Sequence, residues 1–83
     1  MPHFMAAWLW RGQDSPEIDA LIAREREVLE HWRSEGVLAG RWIAKDECSG
    51  WLLIHAADLP TAQTRLASLP LARWLEFTVT ELA

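Results

Sequence analysis

Apolar residues recur across residues 16–35 at the spacing of one helix face. Advancing about 100° per residue places Ile18, Leu21, Ile22, Val28, Leu29 and Trp32 on one side. Asp14 or Ser15 supplies an N-cap, Pro16 fits the first helical position, and Glu17 is an early acid. Gly36 is the expected stop. Residues 3–10 read instead as a short, aromatic-rich strand between Pro2 and the run Arg11-Gly12-Gln13-Asp14. Both parities of that strand are apolar: Phe4, Ala6, Trp8 and Trp10 on one, Met5, Ala7 and Leu9 on the other. A strand apolar on both sides is covered on both sides.

Residues 37–45 and 50–56 predict two further strands joined by the hairpin Asp46-Glu47-Cys48-Ser49. Residues 58–69 predict a second helix with Leu59, Ala62, Leu66 and Leu69 as its apolar stripe. Pro60 lies in its first turn and Pro70 ends it. Residues 74–82 form the last strand, with Leu75, Phe77 and Val79 opposite Trp74, Glu76, Thr78 and Thr80. The order strand-helix-strand-strand-helix-strand is the ferredoxin-like βαββαβ topology of the α+β class. It predicts a four-stranded antiparallel sheet with two helices on one face. The other face needs a cover, and a second copy of the same sheet supplies it by closing a barrel across a dimer.

Composition sharpens this picture. The 83 residues are read as one domain. A chain of this length buries only about 60% of its unfolded surface. It is 51% hydrophobic with six Trp and no Tyr, more apolar surface than a small monomer hides, so self-association is expected. A net charge of −4 argues against nucleic acid and anionic membrane as partners. The single cysteine, Cys48, makes neither an internal disulfide nor a thiolate cluster and reads as a loop thiol. The amino terminus lacks the pattern of a signal peptide, and no run approaches the roughly 18 apolar residues of a membrane span. A cytoplasmic location is the expectation.

Glu25 breaks the pattern. It falls near the centre of the apolar face of the first helix, while Arg24, Arg26, Glu27, Glu30, Arg33 and Glu35 flank it or lie behind. A carboxylate facing a core must be paired, hydrogen-bonded or neutralised. It can also serve as a base whose affinity for protons is raised by burial. Two readings stand side by side: a general base for a proton shift next to a carbonyl, or a structural Glu held by an Arg or a Trp N–H.

Other candidates are weaker. Arg41 and Trp42 alternate in the second strand, so only one faces the helices. Arg41 would hold a substrate carboxylate or make a rim ion pair. Trp42 would wall a pocket or pack in the core. His55 ends the third strand and reads as a second acid/base or a satisfied strand-end His. Trp8, Trp10, Trp32, Trp51 and Trp74 are read mostly as core and interface, with one or two of them shaping a flat apolar pocket, and Glu76 and Thr78 line either the pocket or the dimer barrel. His3, His31 and His55 are separated, with no i,i+4 pair, and give no metal motif.

Taken in order, several motifs share a pattern. Ala23-Arg24-Glu25-Arg26-Glu27 leads to Ser34-Glu35-Gly36, and Trp42 sits in the second strand. Asp58-Leu59-Pro60 opens the second helix, and Leu69-Pro70-Leu71 leads into residues 74–82. Over nearly the whole chain this resembles the muconolactone isomerase family of dimeric α/β-barrel proteins. The resemblance implies a cofactor-free enzyme that moves a proton across an unsaturated lactone and assembles as a dimer. Glu25 stands where the family has its helix glutamate. Where the family's first strand has a His and a Lys, this chain has Met5 and Ala7.

The reading is therefore a cofactor-independent isomerase of a small unsaturated lactone or related carbonyl compound. Glu25 and His55 are its candidate catalytic groups. Trp42, Arg41, Trp8, Trp32 and Glu76 are its candidate substrate contacts. No metal or cofactor is expected, and the expected partners are a small-molecule substrate and a second copy of the chain. Two alternatives use the same barrel: a cofactor-free monooxygenase or cyclase of aromatic polyketides, and a non-catalytic binding or interaction module.

Overall fold

A computed structural model describes residues 2–13 and 15–83. Its elements are β1 (His3–Trp10), α1 (Pro16–Ser34), β2 (Leu38–Ile43), β3 (Ser49–His55), α2 (Leu59–Ala67), a 3₁₀ turn (Ala72–Trp74) and β4 (Leu75–Glu81). The strands form one antiparallel sheet in the order β2-β3-β1-β4, as the ferredoxin-like topology requires. Residues that pair across antiparallel strands share a face. Phe4, Ala6 and Trp8 of β1 thus align with Ile54, Leu52 and Gly50 of β3, and Ala6 and Trp8 with Val79 and Phe77 of β4.

That face carries the core. Phe4, Ala6, Leu52 and Ile54 pack with Leu29 and Trp32 of α1 and with Ala62 and Leu66 of α2, while Trp8, Phe77 and Val79 pack at the margin. Both helices therefore cover the same side. The opposite parity holds Met5, Ala7 and Leu9 of β1 with Leu53 and Trp51 of β3. Trp42 and Trp51, which pair across β2 and β3, are 50% and 42% exposed. The cover expected over the second side of β1 is not supplied by the described residues of the chain itself.

The helix ends follow from capping chemistry. Ser15 Oγ accepts the Ile18 N–H at 3.2 Å, with Pro16 in the first turn. Asp14, the other cap candidate, lies outside the described residues. At the other end, α1 stops one residue before the expected Glu35, which is the C-cap. Gly36 adopts φ 79°, the Gly36 N–H donates to Arg33 O at 3.2 Å, and the Val37 N–H donates to Trp32 O at 2.8 Å. This is the Schellman arrangement, and its usual apolar contact is made by Val37 and Trp32 in the core. A Cβ on Gly36 meets nothing within 4 Å, so only backbone strain opposes a side chain there. Gly36→Ala is expected to cost about 1 kcal/mol, read as a lower urea midpoint with an unchanged m-value.

Helix α2 is capped by Asp58 Oδ1, which accepts the Thr61 N–H at 2.8 Å. It ends at Ala67, two residues before the predicted limit, because the Ser68 and Leu69 N–H groups tighten the last turn onto Arg65 O and Leu66 O. Of its predicted stripe, Ala62, Leu66 and Leu69 are buried, but Leu59 at the first turn is exposed. Strand β2 is shorter than predicted, because a turn closed by the Glu47 N–H donating to Ala44 O begins directly after it. Asp46 Oδ1 accepts the Cys48 N–H at 2.9 Å, and Glu47 adopts φ 61°. Trp74 falls in the 3₁₀ turn rather than in β4.

A bulge interrupts β2 between Leu38 and Gly40. Leu38 pairs with Ile54 and Arg41 with Leu52, so both face the helices, while Gly40 and Trp42 face the opposite side with Leu53 and Trp51. Ala39 is the extra residue that changes the alternation. No helix of the described residues is long and apolar enough to cross a membrane.

Candidate active site

A cavity of about 350 Å³ opens between α1, the end of β1, β2 and the turn after α2. Its apolar wall comes from Ile22 and Leu29 of α1, Trp8 and Trp10 of β1, Ile43 and Leu52 of the sheet, and Leu71 and Leu75. Ile22, Glu25 and Leu29 share a helix face because they lie three and four residues apart. The period that buries Leu29 therefore aims Glu25 at the cavity. Trp8 lies over Gly50: a Cβ there would come within 2.5 Å of the indole, so the bare glycine gives the ring its place against the sheet. Trp10 lies against Gly12 in the same way, at 2.4 Å.

Charged side chains enter at four points: Glu25, Arg26, Arg41 and Glu47. Glu25 Oε1 accepts the Leu71 N–H at 3.1 Å. Burial pushes the Glu25 carboxyl above its ordinary value, while that backbone donor and the Arg41 guanidinium pull it down without cancelling the effect. Arg41 belongs to no ion pair among the described residues, where the pairs are Arg11–Glu76 and His31–Glu35. Its donors are available to an anion that enters beside Glu25. A half-buried carboxylate favouring its proton more than usual, beside a cation in an apolar wall, can take a proton from carbon and stabilise the resulting anion.

The structure gathers Glu25, Arg41 and Trp8 and separates the other candidates from them. His55 sits on the opposite face of the sheet, its ring 4.0 Å from that of His3, so it is not a partner of Glu25 within the protomer. Trp42 also lies on that face and does not wall the cavity, because the bulge gives the inward position to Arg41. Glu76 is there too, bound to Arg11 at 2.8 Å. Trp32 is buried in the core beneath the end of α1. Cys48 is an exposed loop thiol. Among the described residues, no three His, Cys, Asp or Glu side chains are grouped to hold a metal.

Several cavity residues were not candidates from sequence. Trp10 was signalled by its shared parity with Trp8, and Ile22 and Leu29 by their helical spacing from Glu25. Arg26 follows Glu25 and was read only as a flanking charge. Glu47 enters through a turn conformation and Leu71 through its backbone amide, for which no residue pattern speaks.

Fold and cavity together define a ferredoxin-like α+β protein with a carboxylate-bearing pocket between its first helix and its sheet. The profile of muconolactone delta-isomerase matches residues 5–83, and the chain belongs to that family. A crystal structure of muconolactone isomerase at 3.3 Å resolution has the same fold. It superposes with a TM-score of 0.86 over 98% of this chain and 88% of that one, at 18% identity. No curated protein matches the chain in sequence.

Proposed function

We propose that this protein is a cofactor-independent isomerase of a small unsaturated lactone or related carbonyl compound, acting as a cytoplasmic homodimer. The observation that carries the reading is Glu25, a desolvated carboxylate on the wall of a mostly apolar cavity, with Arg41 alongside. Glu25 takes the proton from the carbon alpha to the carbonyl. The C–H electron pair moves into the conjugated system as a dienolate. Glu25 then returns the proton to the gamma carbon, so the carboxylate is regenerated and no electrons enter or leave. Arg41 binds a substrate carboxylate or the developing oxyanion. Membership of the muconolactone delta-isomerase family supports this chemistry.

Homodimerisation is supported by the uncovered sheet face, where Leu9, Trp42 and Trp51 are exposed together. Trp8 and Trp10 beside the cavity favour one rival, a cofactor-free oxygenase or cyclase of flat aromatic compounds.

The deciding experiment incubates the protein with muconolactone in heavy water and follows both carbons by NMR. The isomerase reading expects the double bond to move between the α,β and β,γ positions, with loss of a C–H at one of the alpha and gamma carbons and a new C–H or C–D at the other. Binding without any migration of the double bond would leave a binding module, and oxygen uptake with a quinol would identify the oxygenase.

A further inference from the structure

We propose that the backbone amide of Leu71 is a positioning group for the base, presented to the cavity by the turn Leu69-Pro70-Leu71. The proposal rests on the reading of Glu25 as that base. The hydrogen bond from the Leu71 N–H to Glu25 Oε1, at 3.1 Å, joins residues 46 apart in sequence. Among the neighbouring amides, Ser68 and Leu69 donate back to Arg65 O and Leu66 O, and Ala72 and Trp74 donate to Leu69 O and Leu71 O. Pro70 has no N–H at all. Leu71 thus differs from these neighbours, because its amide donates to the Glu25 carboxylate and not to the turn's own carbonyls.

The sequence of the turn accounts for that. Pro70 disfavours a helical Leu69, so α2 cannot run on and absorb the following amides. Leu71 then adopts φ −94° and ψ 5°, the bridge region common at turns and active sites. Its side chain is buried, which fixes the amide beside the helix face that carries Glu25. A Glu side chain on a helix otherwise rotates about three bonds. One donor on Oε1 holds the carboxylate plane and leaves Oε2 to take and return the proton. The same donor favours the ionised form, against the burial that opposes it.

The test replaces the Leu71 amide by an ester, using the α-hydroxy acid that corresponds to leucine, in the otherwise unchanged chain. An ester at Ala72 is the control, because it removes a turn hydrogen bond that does not involve Glu25. Glu25 is titrated by carboxyl-carbon NMR, a readout independent of activity, and the pH profile of kcat/KM for lactone isomerisation is measured alongside. The Leu71 ester is expected to move the Glu25 midpoint up and to carry the acid limb of kcat/KM with it. Below the limb, each pH unit of displacement costs tenfold in rate. The Ala72 ester is expected to lower stability and move neither. An unmoved midpoint in the Leu71 ester would overturn the proposal outright. A midpoint that moves while the acid limb stays would show that the amide holds Glu25 but that Glu25 is not the reacting group, which overturns the reading of the base instead.

Discussion

Glu25→Gln is expected to lower kcat/KM for lactone isomerisation by about 10²–10⁴-fold, the usual contribution of a general base, and to raise the Tm at neutral pH. The two effects share one cause. Burial raises the proton affinity of Glu25 in the folded chain, whereas the unfolded chain carries it at its ordinary value. Between those two values the folded state holds more protons than the unfolded state, so stability falls as pH rises. The stabilising protonated form is fully present below the unfolded value and is lost as pH passes through the folded one. Above that folded value the protein bears the cost of a half-buried anion. Gln is neutral at every pH, has nearly the same shape, and its carbonyl oxygen still accepts the Leu71 N–H. Thermal unfolding of both forms between about pH 4 and pH 8 is the check, with the wild type losing ground to the variant as pH rises. A variant that is inactive and also less stable at neutral pH would mark Glu25 as a structural group.

Replacing Trp42 and Trp51 together by Lys is expected to convert the proposed dimer to monomer. The two indoles face each other across β2 and β3 on the uncovered side of the sheet. Beside them stand Leu9 and the half-buried Met5, Ala7 and Leu53. A fully buried Trp removes about 150–250 Å² from water, and the roughly half of each indole that the protomer leaves exposed makes the pair the main apolar surface of any interface formed there. Lys at both positions replaces that area by cations that two copies of the face would bring together. Both sites are exposed in the protomer and outside the core cluster, so the variant keeps the packing of Phe4, Leu52 and Ile54 against the helices. Sedimentation equilibrium over a range of concentrations reads the result. A wild type that stays monomeric throughout would remove the homodimer and leave the Trp pair for another partner.

The fold was legible because each element carries its own signal. The 3.6-residue period of α1, the cap at Ser15, Gly36, and Pro70 after α2 each mark a boundary or a face, and together they leave a single strand order. Glu25 was legible for the same reason, since a carboxylate inside an apolar stripe violates a regular pattern and so shows itself. The rest of the site depends on information that periodicity does not hold. Strict alternation says that Arg41 and Trp42 oppose each other and cannot say which points inward, because a bulge upstream decides it. His55 was a reasonable acid on residue type, but a strand-end side chain on the parity of Trp51 and Leu53 belongs to the face away from Glu25. Trp32 lies on the same stripe as Glu25 yet two turns further along, where it joins Leu38 and Ile54 in the core cluster and does not line the cavity. Leu71 contributes a peptide N–H, which every residue but proline owns, and its role appears only when the turn is folded.

The bulge at Ala39 has a consequence for how such a pocket changes over generations. Paired regularly from Leu38–Ile54 with no bulge, the same residues would place residue 42 opposite Gly50, on the helix side, and residue 41 opposite Trp51; the bulge takes up the extra residue and prevents that. Loss of the Ala39 codon would close the bulge and leave Gly40, Arg41 and Trp42 opposite Leu53, Leu52 and Trp51, so the guanidinium keeps its place in the cavity and the indole stays outside it. The edge strand can thus gain or lose one residue at this point while the side chains that line the cavity stay the same.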